Sequence, residues 1–157
     1  MPNHEKILSN IIFGMQRCGK IIPISHETYN KIIEKYKSLC ADFIILNRIE
    51  KLDTYQKAGC LLFAINESKL VDDKTLNADI ALTAALHMCS ESEENIDIEL
   101  LISQEHFKDV KKMIIEALTT GYLSTFSCYL NLKTICESNI EQKNQKTHHF
   151  KLKESHN

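Results

Sequence analysis

Residues 58–65 read Ala-Gly-Cys-Leu-Leu-Phe-Ala-Ile, with no polar side chain at any position. A helix on a protein surface needs a polar face, so a helix built on this stretch has to be surrounded on all sides. Asp53 stands just before it and Gln56 follows three residues later. That is the spacing of a capping box, in which each side chain takes up the other's free backbone amide, and it starts a helix at about residue 53. The next segment, Thr75 to Met88, is nearly as apolar and carries Ala78, Ala81, Ala84 and Ala85. Small side chains let two helix axes approach closely, near the short end of the usual range of about 8–10 Å. Residues 53–66 and 75–89 are therefore expected to form a central buried helical pair.

The rest of the chain supplies the cover. Ile7, Leu8, Ile11, Ile12 and Met15 recur at three- and four-residue steps over Glu5 to Arg17, an amphipathic helix ended by Gly19. Ser25 can cap the next helix, with Ile24 closing over Tyr29 as a hydrophobic staple. Tyr29, Ile32, Ile33, Tyr36, Leu39, Cys40, Phe43, Leu46 and Ile49 keep the helical period through the longest helix, about 27–51. Ser103 is expected to cap a helix to about Thr119, with Phe107, Val110, Ile114, Ala117 and Leu118 inward and Gly121 at its end. A last helix covers roughly Tyr122 to Glu137. The expectation is all-α: a single compact bundle of five to six helices over residues 1–140, followed by a polar, disordered tail over 141–157. The alternative is α+β, because Ile96, Ile98 and Leu100 alternate with polar residues and Lys20–Ile24 could pair with 95–102 as a short second strand.

At 157 residues the chain suits one domain, and such a domain buries roughly 68–70% of its unfolded surface, enough to stand without a metal or disulfide. No apolar run approaches the roughly 18 residues of a spanning helix. Polar residues interrupt Met1 to Asn10 where a secretory segment would be continuous, so a cytoplasmic location without membrane association is expected. The six cysteines include no Cys-x-x-Cys, and in that compartment they read as buried free thiols. Abundant Ile, Lys and Asn, with Arg only at 17 and 48, suggest an AT-rich bacterial genome, a phage or a mobile element.

The motifs that carry chemistry are sparse. No Glu has a His three residues on, and no His has a second four residues on, so di-iron carboxylate and His-Glu-x-x-His metal sites lack their ligand spacing. The nearest ligand group is His87 and Cys89 beside Glu91, with Cys60 opposite. Residues two apart lie about 200° apart round a helix, so His87 and Cys89 face away from each other. A buried thiol, and a histidine near a helix C-terminus where the dipole favours positive charge, is the better account. His106 and Asp109 are spaced as an exposed surface pair. No Gly-x-Ser-x-Gly elbow and no glycine-rich phosphate loop occurs, and no cofactor is implied.

Asn47, Arg48, Glu50, Asp53 and Lys57 form the densest polar group beside apolar sequence. Glu50, Asp53 and Lys57 are the candidate catalytic residues of a small helical nuclease or other hydrolase. The structural account gives Asp53 a capping role and pairs it with Lys57. The tail holds four lysines and two glutamates, which leaves residues 1–140 at net −4. The body should repel phosphate, and Lys143, Lys146, Lys151 and Lys153 are the candidates for nonspecific nucleic-acid contact. The leading expectation is a non-catalytic protein-interaction or regulatory module, binding a protein partner or forming a homodimer through 27–51 or through Tyr122 to Ile135.

Overall fold

The computed structural model describes residues 4–92, 96–121 and 132–137. They form an all-α bundle of α1 (His4–Arg17), α2 (His26–Asn47), α3 (Thr54–Ser68), α4 (Lys74–Ser92), α5 (Ile98–Ser103) and α6 (Glu105–Thr120), and residues 132–137 are also helical. No strand occurs among the described residues.

The local signals act where the sequence places them. Ser25 Oγ accepts the Thr28 amide at the start of α2, and Ile24 and Tyr29 both sit half-buried against the core. Asp53 Oδ1 accepts the Gln56 amide at 2.8 Å while Gln56 Oε1 accepts that of Asp53 at 2.9 Å, closing the capping box. Asp73 starts α4 with a one-sided cap, its Oδ1 accepting the Leu76 amide at 3.0 Å. Gly19 and Gly121 adopt positive φ after α1 and α6, where a residue with a Cβ would be strained.

Packing centres on α4. Ala78, Ile80, Ala81, Leu82, Ala84, Ala85, Leu86 and Cys89 are all buried, so apolar side chains point out of this helix in every direction. It packs against α3 as expected, and equally extensively against α1. Gly14 is the reason α1 comes so close. A Cβ built there would lie 2.6 Å from the Ile80 carbonyl oxygen and 3.3 Å from the Ala84 Cβ. The small residues of α4 thus seat α1, while α2 and α6 complete the cover on α3 and α4. Asn77 ties the α3–α4 turn into this core. Almost wholly buried, it donates to the Ile65 and Asn66 carbonyls at 3.3 and 3.0 Å and accepts the Val71 amide at 3.2 Å.

Four details differ from the sequence expectation. The alternation at 96–100 belongs to a helix start, because Asp97 Oδ1 accepts the Leu100 amide at 3.2 Å and Leu101 is the position that points inward. Lys20–Ile24 is irregular chain, so the two-stranded alternative does not form. Ser103 closes α5, donating to the Leu100 carbonyl, and α6 starts from Gln104 with no side-chain cap. The long helix stops at Asn47, where Arg48 takes a left-handed conformation, and Ile45 and Leu46 are 72% and 80% exposed. No buried side chain follows Phe43 in α2, so its last turn runs past the covered part of the bundle. Within the last expected helix, Leu132, Ile135 and Cys136 are buried; residues 122–131 and the tail 141–157 lie outside the described residues.

Two substitutions test this packing. Gly14→Ala should lower stability by about 1–3 kcal/mol in urea unfolding, since the backbone carbonyl it meets cannot turn aside and overpacking outweighs the better helix propensity of alanine. A more stable variant would mean that α1 and α4 are further apart. Asn77→Leu takes the partner from three backbone groups of the turn, one buried and two part-buried, and should lose about 2–4 kcal/mol; an unchanged midpoint would show the turn is held otherwise.

Candidate functional site

Two features on the α1 side of the bundle combine exposure with defined geometry. The first is a groove of about 470 Å³ between α1 and the segment that follows it. Leu8, Ile12, Met15 and Gln16 form one wall, and Lys20 to Ile24 the other. It arises because α1 has two apolar faces. Ile7, Ile11, Gly14 and Met15 turn to the core, whereas Leu8 and Ile12 lie a step round the helix and stay partly open. Gly19 then reverses the chain, and Pro23 helps hold an extended course that presents Ile21 at 87% exposure and Ile22 at 40%. Lys20 is the one charged side chain on the lining.

The second feature is a polar seat where α1 crosses α4. Asn10 is almost wholly buried in the apolar face of α1, and His87 Nδ1 lies 2.9 Å from its Oδ1. An amide oxygen only accepts, so the ring proton sits on Nδ1. The imidazole stacks on Phe13, with ring centroids 3.8 Å apart and planes at 20°. Arg17 lies 5.7 Å over the other ring of this stack, Phe13, and pairs with Glu99. Glu91 stands 3.6 Å from His87 Nδ1, one helical turn on. Burial holds the His87 pKa below its ordinary value of 6.5, and the Glu91 charge opposes this only in part. His87 is thus a neutral, hydrogen-bonded crossing residue, and the charge-accepting histidine expected near a helix end gives way to desolvation.

Further along the same crossing, Lys111 of α6 pairs with Asp79 at 3.0 Å, and Thr83 donates to the Asp79 carbonyl at 2.8 Å. The Cys18 sulfur lies 4.0 Å from Thr83 Oγ1, and burial, aided by the Asp79 charge, pushes its thiol up to about 11. A thiol so placed stays protonated at neutral pH and is a poor nucleophile.

The residues singled out from the sequence fall apart in space or into structural tasks. Cys89 is fully enclosed in α4 while His87 reaches the α1 crossing, so the two do not converge. No group of three or more His, Cys, Asp or Glu side chains among the described residues is placed to hold a metal ion. Asp53 spends a carboxylate oxygen on the α3 cap, Glu50 is exposed on the preceding loop, and Lys57 is half-buried one turn into α3. His106 and Asp109 are both exposed on α6. Lys143, Lys146, Lys151 and Lys153 lie outside the described residues. Asn10 and Phe13 belong to no motif in the sequence. Their signal was an asparagine on the inward face of an otherwise apolar α1, at helical spacing from Ile7 and Gly14. No helix among the described residues is long and apolar enough to cross a membrane.

No protein-family model, curated protein or solved structure matches the chain.

The His87 seat makes stability depend on pH. A histidine whose folded pKa is lowered binds its proton more readily when unfolded, so its contribution is complete above about pH 6.5 and is lost as the pH falls through that value. Between about pH 7.5 and pH 5, the wild-type midpoint should therefore fall further than that of His87→Gln, which keeps a donor for Asn10 and cannot titrate. Equal falls would mean that folding leaves the His87 pKa where it stands in the unfolded chain.

Proposed function

We propose that this protein is a non-catalytic interaction module that binds another protein chain through the groove between α1 and residues 20–24. The observation that carries this reading is the apolar wall formed by Ile12, Ile21 and Ile22, left open along one groove. Exposed aliphatic side chains are ordinary when scattered, but a contiguous set lining a groove is favourable to cover. An apolar helix or extended segment is the chemistry that fits such a lining, with an acidic side chain at its edge facing Lys20. A second copy of the chain is one such partner, and Ile45 and Leu46 offer a separate apolar surface roughly 30 Å away along α2.

Several features support this over hydrolysis. The thiol of Cys18 is held protonated, His87 is fixed by Asn10, and Asp53 is committed to its cap. None of these observations favours the nuclease reading at Glu50, Asp53 and Lys57.

A photo-cross-linking residue at position 21 tests the proposal in lysate of the cells that make the protein. It should give one dominant protein adduct, lost on Ile12→Glu in the same groove, whereas the same probe at exposed Glu34 on α2 should give none. Adducts no stronger at 21 than at 34, or unaffected by Ile12→Glu, would contradict it.

A further inference from the structure

α2 runs between two exposed apolar surfaces. Its first turn comes just after Lys20 to Ile24, one wall of the groove on α1, and its last turn carries Ile45 and Leu46 beyond the covered part of the bundle. At about 1.5 Å per residue from His26 to Leu46, roughly 30 Å of rigid helix separates the groove from this tip. A chain therefore cannot bring its own tip to its own groove. If the tip enters a groove, the groove belongs to a second copy.

The tip has the chemistry that the groove lining calls for. Asp42 stands three residues before Ile45 and four before Leu46, so the three share one side of the last two turns. Two aliphatic side chains are thereby presented with a carboxylate one turn behind them. The groove offers the converse: Ile12, Ile21 and Ile22 are exposed along it, and Lys20 is the one charge on its lining. Asp42 and Lys20 are both exposed, and neither has an ion-pair partner among the described residues. The last turn of α2 holds no basic side chain, so the negative end of the helix dipole adds to the Asp42 charge. Arg48 and Glu50, which follow the helix, offset each other.

We propose that the groove of one copy receives the α2 tip of another, with Ile45 and Leu46 lying on Ile12, Ile21 and Ile22 while Asp42 pairs with Lys20. This rests on the reading of the groove as a protein-binding surface and names its occupant. The contact joins two different surfaces, so a pair keeps one tip and one groove free for further copies until a ring closes. One helix end in one groove covers less than about 1,200 Å², the size of weak and transient contacts, and association is expected on the order of 10–100 μM.

Sedimentation equilibrium of the purified full-length chain, from about 5 to about 500 μM, reads this association. The wild-type weight-average mass should rise above that of the monomer as concentration increases. Ile21→Asp and Leu46→Asp should each weaken the contact about tenfold or more and so flatten the rise. Both side chains are largely exposed in the single chain, so neither change disturbs the fold, which far-UV circular dichroism checks. An equimolar mixture of the two variants should recover a heterodimer that grows no further, because only the tip of the first and the groove of the second are intact. Lys20→Asp should weaken association about threefold to tenfold, and adding Asp42→Lys to the same chain should restore it.

A wild-type chain that stays monomeric at about 500 μM would overturn the proposal, as would association that survives Leu46→Asp, a mixture that stays monomeric, or a charge swap that restores nothing. A different protein cross-linked at position 21 in lysate would uphold the groove even then, so the two readings fail separately.

Discussion

The fold depends on the enclosure of α4. A helix with apolar side chains on every side loses free energy at each face that water can reach, at about 25 cal/mol per Å² of apolar surface. It cannot be stable until neighbours close round it. α3 covers one side through its own apolar stretch, and α1 covers another by bringing Gly14 down to the Ile80 carbonyl, where any larger residue would hold the two backbones apart. α2 and α6 are then amphipathic cover in the ordinary sense, polar outward and apolar inward. Two of the polar side chains that this arrangement buries, Asn77 at the α3–α4 turn and Asn10 at the α1 crossing, have hydrogen-bond partners there.

What was legible in the sequence is what a few neighbouring residues decide. The Asp53 and Gln56 capping box and the Ser25 cap depend on side chains reaching amides within one turn, the Gly121 stop depends on a backbone free to take positive φ, and each acts as its spacing implies. The all-round apolar character of 58–65 and 75–88 foretold burial for the same reason. What was not legible needs the register of one helix against another. Alanines at 78, 81, 84 and 85 announce a close approach without saying whose, and their neighbour proved to be α1 as well as α3. The alternation at 96–100 satisfied a strand pattern over too short a span, and Asp97 capping Leu100 decided it for helix. The meeting of His87 with Asn10 depends on how far two helices slide past each other, a quantity no local spacing contains.

Enclosure also places the chemistry. With α4 and most of α3 occupied in the core, the groove where the chain leaves α1 and the His87 seat both lie at seams between elements. Each uses a packing residue for a second purpose. The turn after Gly19 that brings the chain into α2 also exposes Ile21.

Native-state hydrogen exchange, resolved by residue, tests the enclosure of α4 most directly. Amides from Asn77 to Cys89 should exchange last of all and only through global unfolding, with a free energy of opening that matches the one from denaturant titration. The last turn of α2 and residues 20–24 should exchange by local opening long before. Exchange within 77–89 that is as fast as in α2, or that proceeds without global unfolding, would contradict the account of α4 as the enclosed axis of the fold.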